Sequence, residues 1–400
     1  MNEAILTLTS RREFLFLYDI KMGNPNGDPD ENRPRVLPDG THYVTDVRLK
    51  RFVRDYLKSQ GKEILVDTIE DKTTNLTGRV AHFLAHTNRK RVEDPQEIVS
   101  ILLDAFTDAR LFGSSFAFGE EKGATKAGQE SDRETNNSDA ELGDSSETEG
   151  EADREEGKEK KGEQKKGKEK KGKEKGKAKL VSASVSIEGS KQLIQWAKPK
   201  TLTGAVQIQH GEVKHSAREV DIYGTSVFSS AEEKTRGTFT SYFGLRYALI
   251  AFHGVANEHS AKLSKMTDAD YDTLLKALWY GVRSAANTRT KRGQVPHLLL
   301  SVEYKPGQEF QFGRLSDYVK LSPRNGKEQL DWASPEDFTV DLSILAQRLE
   351  AQKERIQRVS YCVSPDVQLI PTPEPDEWKT LVKCATTDLK LDAPPKEPSV

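Results

Sequence analysis

Apolar residues recur along this 400-residue chain with periods that local structure explains. "REFLFLYDI" (Arg12 to Ile20) is apolar almost throughout, which predicts a strand buried on both faces. From Asp46 to about Lys58, Leu49, Phe52, Val53, Tyr56 and Leu57 fall at i, i+3, i+4, i+7 and i+8, the apolar arc of a helix. A second helix is predicted over "DADYDTLLKALWYGVRSA" (Asp268 to Ala285). There Tyr271, Leu274, Leu275, Leu278, Trp279 and Val282 share one face, Thr267 stands at the N-cap and Asp270 in the capping-box position. "HLLLSVEY" (His297 to Tyr304) returns as a strand. Glu219 to Gly254 alternates around a polar tip at Ala231 to Gly237, as a projecting hairpin does.

Strand, helix, several strands, helix, strand is the order of a split βαβ unit. The expected class is therefore α+β, with a ferredoxin-like or RNA-recognition-motif topology. Roughly two hundred residues separate the two helices, more than that unit uses, so subdomains should project from it. Asp341 to Ile356 reads as one amphipathic helix and "DAPPKEPSV" as a frayed tail. Residues 311–400 are thus expected to form a C-terminal extension.

Composition changes the picture in one place. The 61 Lys and Arg against 63 Asp and Glu leave a formal charge of −2, which excludes binding nucleic acid simply by being basic all over. The near-balance hides a local split. Glu120 to Gly157 carries 14 carboxylates against 4 basic residues, and Lys158 to Lys179 reverses to 12 lysines against 4 glutamates. With almost no large apolar side chain to bury, residues 120–179 are expected to be a disordered surface insertion between 1–119 and 180–310. Cys362 and Cys384 alone, without a CxxC pair, encode neither a disulfide framework nor a structural zinc site. The N-terminus lacks the layout of a signal peptide and no apolar run approaches a membrane span, so a soluble, cytoplasmic protein is expected.

The chemistry concentrates around the first helix. Opposite its apolar arc lie Arg48, Lys50, Arg51, Arg54 and Lys58, diluted only by Asp55. In front of it, "MGNPNGDP" places Gly23 and Gly27, which allow close backbone approach, among the turn formers Asn24, Asn26 and Asp28. Such a loop leading into a basic helix start, capped by Thr45 or Asp46, offers N–H groups and cations to phosphates. A second basic loop, "NTRTKRGQVPHLLL", holds Arg289, Lys291, Arg292 and Gly293. The hairpin carries Tyr223, Phe228, Phe239, Tyr242 and Phe243, either core aromatics or side chains that stack on or wedge between bases.

Metal and catalytic readings are weaker. "DPDENR" opens like an EF-hand loop but has Pro29 at the second position and Arg33 where glycine is needed. No Walker, GxGxxG, HExxH or GxSxG motif occurs, and eight histidines are scattered without ligand spacing. No cofactor or metal is expected. A loop aspartate, Asp28 or Asp30, assisting phosphodiester cleavage stays open as an alternative, as does a scaffold that binds no nucleic acid.

Taken together, "NPNGDPDENRPR", "TDVRLKRFVRDYL", "DARLFG", "LTGAVQ", "YALIAFHGVANE" and "NTRTKRGQVPHLLLSVEY" resemble the backbone subunit of the type I-B CRISPR surveillance complex, the Cas-seven family, Csh-two type. The resemblance spans Phe14 to Tyr304 apart from the insertion. It implies a RAMP-superfamily protein, a modified RNA-recognition-motif palm with fingers and a thumb, copies of which polymerise along a CRISPR RNA. Implied partners are that RNA, target DNA through guide pairing, further copies of the chain, and the large, small, Cas-five-family and Cas-six-family subunits. Carried across, Asn24, Asn26 and Gly27 line the guide phosphates, and Thr45, Arg48, Lys50, Arg51 and Arg54 contact them, with Arg289, Lys291 and Arg292 in support. The thumb falls at about 219–245, with Phe228, Phe239, Tyr242 and Phe243 as base-wedging side chains, and the insertion on the fingers. No catalytic residue is implied. The alternative within the same superfamily is a type III-like subunit whose loop aspartate cleaves target RNA. If Arg48, Lys50, Arg51 and Arg54 each neutralise one phosphate, log K against log salt should slope by about −2.8.

Overall fold

A strand apolar on both faces demands cover on both sides, and the computed structural model supplies it. It describes residues 6–70, 72–86, 97–116, 194, 200–225, 239–286, 291–372 and 385–388. The elements in chain order begin with β1 (Arg12–Gly23), β2 (Tyr43–Val44) and α1 (Asp46–Ser59). Next come α2 (Leu76–His86), α3 (Ile98–Ala105), α4 (Thr107–Phe112), β3 (Gly113–Phe116), β4 (Lys200–Thr203), β5 (Val206–Ile208) and β6 (Gly211–Val213). The long pair β7 (Glu219–Thr225) and β8 (Phe239–Ala256) leads to α5 (Glu258–Ser264), α6 (Asp268–Ser284) and β9 (Val295–Tyr304). The chain closes with β10 (Lys320–Pro323), β11 (Phe338–Asp341), α7 (Ser343–Ala351), β12 (Ile356–Val363), β13 (Leu369–Ile370) and β14 (Ala385–Asp388).

The nine-stranded main sheet runs β14-β12-β9-β1-β8-β6-β2, with β5 and β7 also paired to β8. Around β1 every pairing is antiparallel: Phe16 faces Phe252 of β8 on one side and Leu299 of β9 on the other, and Ile222 of β7 faces Tyr242 of β8. Phe14, Phe16, Tyr18 and Ile20 point to the face covered by α1 and α6, packing with Leu49, Phe52, Leu274 and Leu278. Leu15 and Leu17 point to the other face, covered by Leu315, Trp332, Phe338, Leu345 and Leu369. A third cluster joins α2 and α3 to Phe106, Phe116 and Leu202. Among the described residues no helix is long and apolar enough to cross a membrane.

Two expectations change in the C-terminal third. The helix predicted from Asp341 to Ile356 is shorter, Ser343–Ala351, because Phe338–Asp341 and Ile356–Val363 are strands. Nor is 311–400 an appendage: β12 joins the main sheet beside β9, Val359 opposite Val302, and the preceding segment roofs one sheet face. The insertion 120–179, Cys384 and the "DAPPKEPSV" tail lie outside the described residues.

The glycines of "DARLFG" and "LTGAVQ" meet. Gly113, at φ +78°, lies so close to β4 that a Cβ would come within 2.2 Å of the Leu202 carbonyl oxygen, and one on Gly204 within 2.1 Å of the Phe112 carbonyl carbon. Both obstacles are backbone. Gly204→Ala should therefore lower stability by about 1–3 kcal/mol through forced displacement of β3 from β4, read as a lower urea midpoint; an unchanged midpoint would show that the two segments separate freely.

Candidate nucleic-acid interface

The loop between β1 and α1 is built by its own polar side chains. Buried Asn24 donates its Nδ2–H to the Asn32 carbonyl at 2.6 Å. Asn26 Oδ1 accepts from both the Thr45 N–H (2.9 Å) and the Thr45 hydroxyl (2.8 Å). Thr45 is the N-cap of α1, its Oγ1 accepting from the Arg48 N–H at 3.2 Å. Asn26 therefore fixes the cap, and the cap fixes the helix start. Gly27 carries no side chain because Asn32, at φ +55°, occupies the place a Cβ would take. Asp28 Oδ1 accepts from the N–H groups of Asp30 (3.1 Å) and Glu31 (2.8 Å), which occupies it in holding a turn.

The second basic loop reaches the first through Lys291. Lys291 is buried, and its Nζ donates to the Asn24 carbonyl at 2.7 Å. This places Lys291 within the framework of the loop. Arg292 beside it is exposed, and Arg289 lies outside the described residues.

The basic arc of α1 divides in the same way. Leu49, Phe52, Val53 and Leu57 are buried as their spacing predicts. Of the cations opposite, Lys50 has 12% of its side chain exposed and pairs with Asp46 at 2.8 Å. Arg54, at 13%, pairs at 3.1 Å with Asp108, of which 1% is exposed. Both also lie over the Phe112 ring. Arg48 is half-buried with its guanidinium over Phe52. Arg51 is half exposed, at 51%, and among the described residues it pairs with its helix neighbour Asp55 alone, at 2.8 Å. Exposed i,i+4 pairs of this kind contribute about 0.3–0.5 kcal/mol, so Arg51 is readily released to another anion.

The β7–β8 hairpin stands beside the loop. Arg33 stacks over the Phe243 ring at 3.7 Å and pairs with Glu31 (2.8 Å) and Glu219 (3.5 Å), while His42 Nε2 meets Glu219 at 3.1 Å. Tyr242 and Phe243 are half-buried, and Tyr223 is 75% exposed. The side chains of Phe228 and Phe239 lie outside the described residues. Sequence pattern gives Arg33 no distinction, since its partner Phe243 belongs to a distant segment. The same holds for Arg218 and Arg246, which converge on Asp331 at 3.0 and 3.3 Å. Among the described residues no three His, Cys, Asp or Glu side chains come together as a metal site.

An α+β chain with a self-braced, small-residue loop feeding a cation-bearing helix has the parts of a phosphate-facing surface. A profile of the family "CRISPR-associated protein Cas7" matches residues 10–186 and 183–343, and the chain belongs to that family. A CRISPR-associated protein Cas7 from Haloferax volcanii is 27% identical over 357 residues, 88% of this chain and 86% of its own length. A solved chain from a "CRISPR RNA-guided surveillance complex, pre-nicking" aligns with TM-score 0.41 and 11% identity, over 94% of this chain and 99% of its own. One from a "CRISPR RNA-guided surveillance complex" gives 0.39 and 12%, over 92% and 98%.

Proposed function

We propose that this chain is a non-catalytic CRISPR-RNA-binding backbone subunit of a Cascade-type, type I-B surveillance complex that recognises double-stranded DNA. In this reading the β9-β1-β8-β7 strands with α1 and α6 are the RNA-recognition-motif-like palm. The cluster around α2 and α3 belongs to the fingers, and the β7–β8 hairpin is the thumb. Copies repeat along the guide in the cytoplasm, beside the large, small, Cas-five-family and Cas-six-family subunits. Membership of the Cas7 family supports it. The observation that carries it is the loop from Asn24 to Thr45, whose side chains are spent on fixing its own backbone beside the exposed Arg51. Sequence discrimination is left to guide pairing, so the protein needs contacts to the nucleic-acid backbone and no base-edge chemistry.

Among the described residues both faces of the sheet around β1 are covered, which leaves bases no open face there on which to stack. The guide is therefore placed along the loop, the start of α1 and the hairpin. Asn24, Asn26, Gly27, Thr45 and Lys291 shape the backbone that meets the phosphates, Arg48, Arg51 and Arg292 supply charge, and Tyr242 and Phe243 belong to the base of the thumb. Lys50 and Arg54 act through Asp46 and Asp108.

The test is co-expression with the neighbouring subunits, followed by extraction and sizing of bound RNA and titration at several salt concentrations. Arg51→Ala should flatten the slope of log K against log salt by about 0.7, and Arg51→Ala with Arg292→Ala by about 1.4, for all sequences alike. A folded double variant with unchanged affinity and slope, or a complex that carries no RNA, would overturn the proposal.

A further inference from the structure

We infer that Arg218 and Arg246, held together by Asp331, form a second phosphodiester-binding surface, on the opposite face of the palm sheet from α1. Arg218 immediately precedes β7 and Arg246 lies on β8. The Arg246 N–H donates to the Arg218 carbonyl at 2.8 Å, so the two side chains leave adjacent backbone positions. Both reach Asp331, at 3.0 and 3.3 Å, with 51% and 36% of their side chains exposed. Two guanidinium groups sharing one carboxylate keep a net positive charge. Their planar donors match the oxygens of a phosphodiester.

The counter-charge is held in place by its own supports. Asp331 ends a short turn, Gln329–Asp331, whose next residue, Trp332, is buried against His215 and Phe338. Gln329 Oε1 accepts the Ser216 N–H at 2.9 Å, fastening the turn to the segment leading into β7. The arginines are thus brought together before a ligand arrives, which lowers the ordering cost of binding.

Continuity with the loop favours a nucleic-acid strand over an acidic protein. In the β1–β8 register Lys21 faces Tyr247 and Gly23 faces Leu245, so Arg246 flanks the end of β1 where the candidate guide loop begins. Exposed Lys21 and Arg292 border the same sheet end, the Gly293 backbone packing against the Lys21 carbonyl. Trp332 and Tyr247 belong to the cluster on one sheet face, whereas α1 lies on the other. The positive strip therefore turns around the end of β1. The ligand is a phosphodiester backbone, from the guide itself where it wraps this end or from the strand paired with it.

The inference rests on the reading of the chain as a guide binder, and the experiment separates the two. The assembled complex, freed of its co-purified RNA, is titrated with single-stranded RNA of guide length and with the same RNA annealed to complementary DNA, at several salt concentrations. Wild type is compared with Asp331→Asn, with Arg218→Ala/Arg246→Ala, and with Arg51→Ala as the reference for the loop surface. Asp331→Asn should tighten binding about two- to fivefold, and the double arginine variant should flatten the slope by about 1.4 on at least one of the two probes. Melting midpoints should hold, because all three side chains are surface groups. An effect seen with RNA alone assigns the guide; one seen only with the annealed probe assigns the paired strand. If Arg51→Ala weakens binding while the other variants match wild type on both probes, this inference fails alone. Loss of a co-purifying subunit with unchanged slopes overturns it in favour of a protein contact. A wild-type complex that binds neither probe overturns both readings.

Discussion

Replacing Asp108 by alanine is expected to destabilise the chain by about 3–5 kcal/mol, because it removes a buried carboxylate and leaves the partly buried Arg54 without its partner. Asp108 accepts from Arg54 Nε at 3.1 Å and from the N–H groups of Leu65 (2.8 Å) and Val66 (3.2 Å). One carboxylate thus pins α4 to α1 and to the segment that follows α1. Arg54→Ala removes the cation and leaves the carboxylate buried, with a loss in the same range. Urea titration with an unchanged m-value is the measurement, and a loss below about 1 kcal/mol would return Arg54 to the solvent-facing cations. The consequence for binding experiments is direct: lost RNA retention in Arg54→Ala reports a misplaced helix, whereas the same loss in Arg51→Ala reports a lost phosphate contact.

Acidification should cost stability between about pH 6.5 and pH 4, with His215 a main contributor. Burial lowers this imidazole from its ordinary 6.5 to about 4. Its Nδ1 lies 3.0 Å from the Ser216 carbonyl, and its Nε2 accepts the Leu249 N–H at 3.2 Å, a pattern that only the neutral ring satisfies. The unfolded ring takes up a proton below 6.5 while the folded one does not until about 4. Stability is therefore full above 6.5 and falls with pH, by roughly 3 kcal/mol for this group. His253, also lowered to about 4 by burial, acts in the same direction. Buried Glu13 works the other way: burial raises its pKa, so its contribution is present at low pH and lost as pH rises through the raised value. Urea midpoints at pH 7.5, 6, 5 and 4 measure the sum. The His215→Gln variant should lose about one proton's worth of the slope relative to the unmodified chain; identical slopes would show that His215 charges without consequence.

The local periodicities were legible because neighbouring residues enforce them. α1 buries the arc that the spacing from Leu49 to Leu57 marks out, and Thr267 and Asp270 exchange the two capping-box bonds, at 3.1 and 2.9 Å. β1 is buried on both faces because its centre, Phe14 to Tyr18, is apolar at every position. The site was legible as a region and not as a set of roles. Lys50 and Arg51 are adjacent and alike in sequence, yet Asp46 and the Phe112 ring take up one while the other keeps half its surface in water. Arg54 and Lys291 find their partners at Asp108 and Asn24, separations that no helical or strand period encodes. Three C-terminal strands, β10, β11 and β13, were missed because they are short. β10 and β11 have four residues each and β13 has two, too few for alternation to register, and they exist because the exposed sheet face has to be roofed.

The β3–β4 pairing has a use in engineering. Phe116 and Lys200 stand opposite one another across an antiparallel pair, and Gly113 and Gly204 lock its base backbone to backbone. The two chain ends that leave this pair are thus held at strand spacing by the fold itself, whatever connects them. Doubling the length of a flexible connection adds only about 0.6 kcal/mol of closure cost. A fluorescent domain, an affinity handle or an enzyme placed between Phe116 and Lys200 would start and finish at neighbouring points.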